Sequence, residues 1–155
     1  MIKYIPNESN VVFEEIPHRV TMAFSISNCM NHCKGCHSPW LATDIGEELT
    51  VDTILEKYDD LIRLSNCVLF LGEGNDKEAL LAINKFIKEH YTIETALYSG
   101  RDKIEDEYFH LFDFVKVGSY QEELGPLNKE TTNQRLYYHG EDITNEFWNR
   151  SKNIQ

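Results

Sequence analysis

Residues 20–37 read VTMAFSISNCMNHCKGCH, and the two halves of this stretch differ in pattern. In the first half, larger apolar residues alternate with smaller ones, a period of two that predicts a half-buried β-strand over 20–27. The larger residues are Val20, Met22, Phe24 and Ile26. In the second half, cysteines stand at C-x3-C-x2-C spacing, namely Cys29, Cys33 and Cys36. The sequence therefore places a tight group of thiols in the loop that directly follows a strand.

Downstream of the cysteines, apolar runs typical of strands alternate with segments of helical periodicity. The strand-like runs cover 67–71, 93–98, 114–117 and 135–138. Helices are predicted from Thr53, where 53–56 has the form of a capping box, and over 80–87, 104–112 and 143–148. Such alternation is typical of parallel β/α units, in which right-handed crossovers leave the strands pointing the same way. We therefore predict an α/β fold built on a parallel sheet.

The length of the chain limits how much of a barrel it can form. A closed eight-stranded β/α barrel needs about 250 residues, whereas residues 1–155 are the size of one domain. The predicted fold is therefore a single domain, a partial and open parallel β/α barrel. Ligands of parallel sheets bind beyond the carboxyl ends of the strands. The turns predicted at that edge are the cysteine loop, Gly72-Glu73-Gly74, Ser99-Gly100 and Gly118-Ser119.

Composition narrows the class of partner and the compartment. The chain has 26 acidic and 15 basic residues, and its net charge of −11 argues against a nucleic-acid partner. No stretch approaches the roughly 20 apolar residues of a membrane span. The N-terminus lacks the basic and apolar segments of a secretory signal, so we expect a cytoplasmic protein with reduced thiols. In that compartment a cysteine cluster indicates metal binding or catalysis rather than disulfides.

Three thiolates in one loop fit an iron–sulfur cluster. A cubane has four irons, so three protein ligands leave one iron free for a small molecule. Gly35 lets the backbone turn between the last two cysteines. The fourth cysteine, Cys67, lies in an apolar run and is predicted to be an inert core residue.

Other interpretations of the cysteines stay open at this point. A structural zinc site could take His32 or His37 as its fourth ligand, although zinc sites usually join two separated pairs. Residues 33–37 match the C-x-x-C-H motif of c-type haem, but that attachment follows export and leaves Cys29 unused. A thioredoxin-like redox pair would also leave Cys29 without a role.

The spacing and the placement of the three cysteines resemble the radical S-adenosylmethionine superfamily, whose C-x3-C-x2-C signature follows the first barrel strand. Within it, the chain resembles the glycyl-radical-enzyme activases, most of all the short activating proteins of anaerobic ribonucleoside-triphosphate reductases, including those of bacteriophages. The resemblance covers nearly the whole chain, up to residues 133–135. It implies a truncated barrel of the radical S-adenosylmethionine type.

The resemblance also implies a set of cofactor-binding residues. Cys29, Cys33 and Cys36 would hold a [4Fe–4S] cluster, with no catalytic residue beyond it. The turn Gly72-Glu73-Gly74 is similar to the Gly-Gly-Glu turn that binds the methionine amino group in the family, with Leu71 at a position where a glycine often stands. The other implied contacts to S-adenosylmethionine come from Gly35, Cys36, His37, Ser99 and Lys116.

The function implied by the resemblance is reductive cleavage of S-adenosylmethionine and generation of a glycyl radical on the reductase. Since only Cys67 remains after the cluster ligands, a second cluster is not expected, and an external one-electron donor such as flavodoxin is implied. Two alternatives remain. The first is an activase of another glycyl radical enzyme, and the second is a zinc-stabilised interaction module without enzymatic activity.

Overall fold

The computed structural model describes residues 1–27 and 46–148. The strands in these residues are β1 (Lys3–Tyr4), β2 (Asn10–Val12), β3 (Thr21–Ser25), β4 (Glu47–Glu48), β5 (Cys67–Leu71), β6 (Glu94–Tyr98), β7 (Phe114–Val117), β8 (Arg135–Tyr138) and β9 (Glu141–Asp142). Seven of them form one sheet of order β2-β3-β5-β6-β7-β8-β9, and β1 pairs with β4 in a small antiparallel sheet.

The centre of the large sheet is parallel and its margins are antiparallel. β3, β5, β6 and β7 run side by side in the same direction, as the sequence predicts. The prediction of a wholly parallel sheet is wrong at β2, β8 and β9, which pair antiparallel with their neighbours. Connection length explains two of these pairings, because a parallel crossover needs a dozen or more residues. A two-residue turn joins β8 to β9, and only residues 13–20 join β2 to β3.

Helical segments connect the parallel strands. They are α1 (Val51–Thr53), a π-helical turn (Ile54–Tyr58), α2 (Asp59–Arg63), α3 (Lys77–Tyr91) and α4 (Glu107–Leu111). The predicted capping box at Thr53 is wrong by one turn. Thr50 caps α1, because its Oγ1 accepts a hydrogen bond of 3.1 Å from the backbone N–H of Thr53. A further 3-10 turn covers Pro6–Glu8, and 145–148 are helical, as predicted for the end of the chain.

Side chains of the parallel strands enter two different apolar clusters. Met22 and Phe24 pack in the cluster that also contains the inner faces of the helices, whereas Ala23 belongs to a second cluster on the other face of the sheet. The second face is covered by Leu127 and Phe147, from the segments that follow β7 and β9. All five residues of β3 are therefore buried, where the alternation predicted a half-buried strand.

Across residues 1–27 and 46–148, the structure contains no helix of the length and apolar character that crossing a bilayer requires. The architecture of this part is a mixed α/β sheet with helices on one face. Its membership of a truncated barrel stays a prediction.

Candidate functional site

The three described turns predicted to carry ligand-binding residues do meet at one edge of the sheet. Backbone hydrogen bonds join them in series: Gly72 donates to the carbonyl of Tyr98 at 3.0 Å, and Ser99 donates to that of Lys116 at 2.8 Å. Gly118 in turn donates to the carbonyl of Arg101 at 2.8 Å. The carboxyl ends of β5, β6 and β7 thus form one continuous edge.

The turn after β5 packs against the last described residues before the cysteine segment. Gly72 and Gly74 have φ angles of +114° and +69°, which residues other than glycine rarely adopt. A Cβ at Gly72 would lie 3.3 Å from the carbonyl oxygen of Ile26, and one at Gly74 would lie 3.1 Å from Ile26 Cγ2. Glycine at both positions therefore lets this turn approach the chain at 26–27, directly before Asn28 and Cys29 in sequence.

Glu73, between the two glycines, is the candidate functional residue of this edge. Its carboxylate accepts a bidentate pair of hydrogen bonds from Arg101, from Nε to Oε2 at 3.0 Å and from Nη2 to Oε1 at 2.6 Å. Ser99 Oγ also donates to Oε2. The Glu73 side chain is 13% exposed and Ser99 is buried. The structure thus brings together two of the residues that the sequence singled out, Glu73 and Ser99.

Arg101 extends this arrangement to a second carboxylate. Its Nη2 donates to Glu105 Oε2 at 2.8 Å, so one guanidinium lies between two acidic side chains. The hydrogen bonds that Arg101 donates to Glu73 and to Glu105 raise the pKa of Arg101 above its ordinary value. The hydrogen bond from Arg101 lowers the pKa of Glu105 to about 2. Arg101 and Glu105 are therefore both charged at any pH near neutrality.

Lys116 lies one strand further along the same edge. It is 8% exposed, and it pairs in register with Tyr98, whose ring centroid is 5.4 Å from Lys116 Nζ. The Nζ donates to the carbonyl of Gly118 at 3.4 Å. The side chains of Lys116 and Tyr98 follow Phe114 and Ala96 in the strand alternation, which places them on the face away from the helices. Lys116 is thus a buried cation near the carboxyl edge.

The predicted cluster ligands and part of the predicted S-adenosylmethionine contacts lie outside the described residues. They are Cys29, Cys33, Gly35, Cys36 and His37. Their assignment stays a prediction. Ser27, the last residue described before them, is 1% exposed, and its Oγ has no hydrogen-bond partner within the described part of the chain.

Cys67, the remaining cysteine, is a buried residue of β5, as the sequence predicts. Burial raises the pKa of its thiol to about 12, and the charge of Glu94 adds to this effect. Cys67 begins β5, whereas the glycine turn follows the end of that strand. Four strand steps, about 13 Å, separate Cys67 from Leu71 at the carboxyl end of β5. Cys67 is therefore at the opposite edge from Glu73.

Arg101 and Glu105 are functional candidates that the sequence reasoning missed. The sequence does contain a signal for them. Arg101 directly follows the turn Ser99-Gly100, and Glu105 stands four residues after Arg101. Such spacing favours an ion pair where the backbone is helical or nearly so. The bond between Arg101 and Glu73 has no comparable signal, because it depends on how neighbouring strands align.

The amino edge of the sheet carries a second charged cluster, formed by Glu94, Asp113 and His139. Glu94 accepts hydrogen bonds from Arg19 Nε at 2.6 Å and from Tyr138 Oη at 2.6 Å. Asp113 pairs with Lys88 and lies 3.3 Å from His139 Nε2. Each carboxylate already has a cationic partner, so the arrangement is an ion-pair network.

Comparison of the chain with protein-family models, with curated proteins and with solved structures returned no match. The chemistry of the carboxyl edge therefore rests on the residues themselves. An ionised, largely buried carboxylate at the centre of a glycine turn is suited to binding a ligand ammonium group. Lys116 adds a buried cation at the carboxyl end of β7, on the face of the sheet away from the helices.

Proposed function

We propose that this protein is an activating enzyme that reductively cleaves S-adenosylmethionine at a [4Fe–4S] cluster and generates a glycyl radical on an anaerobic ribonucleoside-triphosphate reductase. The observation that carries the proposal is the position of Glu73: its turn packs on residues 26–27, two residues before the first cysteine of the C-x3-C-x2-C segment. An amino-acid ligand held at Glu73 would thus lie close to where the cysteine segment begins.

The described residues have the character that S-adenosylmethionine requires. Its amino-acid end carries an ammonium group, for which the Glu73 carboxylate is a suitable acceptor. Lys116, at the carboxyl end of β7, is proposed to contact the cofactor as well. The glycines let the turn pack closely on residues 26–27, and the buried Ser27 hydroxyl has no hydrogen-bond partner within the described part of the chain. These features support a fit to the cofactor.

The roles of the chain's own residues follow from this fit. Cys29, Cys33 and Cys36 hold the cluster through three thiolates, and Glu73 orients the cofactor through its ammonium group. By the resemblance, Gly35, Cys36 and His37 would contact the cofactor, with His37 beside its adenine, and Ser99 fixes the Glu73 carboxylate. When bound, the cluster and S-adenosylmethionine together supply the radical chemistry that removes a hydrogen atom from a glycine of the reductase.

The proposal includes an external source of electrons and a protein substrate. Cys67 is buried about 13 Å from the carboxyl edge, so it does not help to build a second cluster there. A one-electron donor such as flavodoxin therefore reduces the cluster. The reductase glycine reaches the site from the open side of the partial barrel, and the reaction takes place in the reducing cytoplasm.

The proposal predicts that anaerobically reconstituted protein contains about four irons per chain. With a competent reductant it releases 5′-deoxyadenosine from S-adenosylmethionine. We expect Cys29→Ala to abolish this product, because a cluster held by two thiolates loses its site for the cofactor. Iron analysis and chromatography of the reaction mixture measure both quantities.

Cys67→Ala is the matched control for Cys29→Ala. It also removes one thiol, but a buried one at the other edge of the sheet, so iron content and product should stay close to the unsubstituted protein. Equal loss in both variants contradicts the ligand assignment. Zinc at one ion per chain, with no iron taken up and no 5′-deoxyadenosine formed, supports the interaction module instead.

A further inference from the structure

A chain of three charged side chains crosses the carboxyl edge of the sheet. Glu73, Arg101 and Glu105 follow one another, with the guanidinium between the two carboxylates. Their side chains become steadily more accessible along this chain, being 13%, 37% and 49% exposed. The outermost group, Glu105, is therefore easy to change without disturbing the core.

The balance of charge determines what Glu73 offers to a ligand. A bidentate pair between Glu73 and Arg101 alone would be neutral and would compete with an incoming ammonium group. Glu105 adds a second negative charge, so the three side chains together carry a net charge of −1. Arg101 must divide its donors between two carboxylates, and its Nη2 is shared by both.

One carboxylate oxygen of Glu73 can accept a further hydrogen bond. Oε2 accepts from Ser99 and from Arg101 Nε, whereas among the described residues Oε1 accepts only from Arg101 Nη2. A carboxylate oxygen can accept two hydrogen bonds. An ammonium group can thus bind Oε1 while Arg101 shifts towards Glu105.

We propose that Glu105 is a positioning residue for the ammonium site: it draws Arg101 partly away from Glu73 and leaves Glu73 with the negative charge that a cationic amino group needs. This inference rests on the proposed function, since S-adenosylmethionine is the ligand that brings the amino group. It assigns a role to Glu105, which has no contact with the cofactor itself in this scheme.

The chain offers a closely matched control at Glu107. Its side chain is 49% exposed, like that of Glu105, but its carboxylate pairs with Lys77 rather than with Arg101. Glu105→Gln and Glu107→Gln remove the same charge from neighbouring positions. Only the first frees Arg101 to pair fully with Glu73.

The test is the dissociation constant of S-adenosylmethionine, measured by anaerobic calorimetry on the reconstituted protein. We expect Glu105→Gln to weaken binding about threefold to fivefold, the range of an exposed ion pair. Glu107→Gln should leave the affinity unchanged. In about 0.5 M salt the difference between Glu105→Gln and the unsubstituted protein should shrink, because the contribution is electrostatic. A structural effect would not respond to salt in this way.

The outcomes separate the two proposals. If the unsubstituted protein binds and cleaves S-adenosylmethionine but Glu105→Gln binds it equally well or more tightly, only the role of Glu105 is overturned. Equal weakening in both variants overturns it as well. If the unsubstituted protein neither binds nor cleaves S-adenosylmethionine, both proposals fail. Should Glu105→Gln not fold, an affinity of the unsubstituted protein that does not change with salt overturns the role of Glu105.

Discussion

At the scale of single residues, the surroundings of Cys67 define its reactivity. Its thiol is fully buried, and burial raises its pKa to about 12. At about pH 8 only one thiol in roughly ten thousand is ionised. We expect iodoacetamide to modify Cys67 about a thousandfold more slowly in the folded protein than in concentrated urea, because the thiolate is the nucleophile. Mass spectrometry of the digested protein measures the modification.

The urea sample is the internal control for this experiment, since unfolding returns the thiol to its ordinary pKa. Modification of Cys67 at similar rates in both samples would contradict the burial of this residue. It would also remove the basis for using Cys67→Ala as a control in the cleavage assay.

The same scale shows what the sequence can and cannot reveal about the site. Glu73 and Ser99 follow predicted strands, so their placement at one edge follows from periodicity and parallel pairing. The bond from Arg101 to Glu73 spans two strands, and it depends on the length of the arginine side chain and on the strand register. The sequence alone therefore does not show that Arg101 and Glu73 are hydrogen-bond partners. The thiolate ligands lie outside the described residues and stay a prediction.

At the scale of elements, apolar runs predicted strands more reliably than capping signals predicted helix ends. The runs at Cys67–Leu71 and Phe114–Val117 are strands with the predicted bounds. β1 and β4 carry no such signal, because each has only two residues. They form through pairing with each other, and β1 also through a bridge from Tyr4 to Ile26. Helix α1 begins beyond Thr50 rather than Thr53, since two threonines three residues apart offer alternative caps.

The glycine turn after β5 is the element on which the site depends, and it makes a measurable prediction. Gly72→Ala should lower the free energy of unfolding by about 1–3 kcal/mol. Its φ of +114° disfavours a side chain, and the new Cβ would lie 3.3 Å from the Ile26 carbonyl oxygen. Urea denaturation followed by circular dichroism measures the change.

Gly140→Ala is the comparison for this prediction. Gly140 has a φ of +83°, but a Cβ there would meet no atom within 4 Å. Its cost is therefore the backbone strain alone, about 1 kcal/mol. A loss at Gly72 no greater than the loss at Gly140 would show that the close approach to Ile26 has no energetic effect.

At the scale of the whole molecule, the carboxyl and amino edges of the parallel strands carry different groups of residues. The carboxyl edge contains the glycine turn and Glu73, packed on residues 26–27, which precede the cysteine segment in sequence. The amino edge contains the ion-pair network of Arg19, Glu94 and Asp113. The middle residues of β5 and β6, 68–70 and 96–97, are apolar and buried, and they separate the charged groups of the two edges.

This division predicts that stability and cofactor binding can be changed separately. Glu94→Gln removes the charge that Arg19 contacts at 2.6 Å, where both side chains are only about a quarter exposed. We expect the free energy of unfolding to fall by about 1–2 kcal/mol. The affinity for S-adenosylmethionine and the yield of 5′-deoxyadenosine should stay unchanged, because Glu94 begins β6 and Glu73 follows the end of β5. Urea denaturation, calorimetry and product analysis on the same preparation measure the three quantities. A variant that keeps its stability but loses affinity would contradict the separation of the two edges, since the ion pair would then act on the carboxyl edge rather than on the fold.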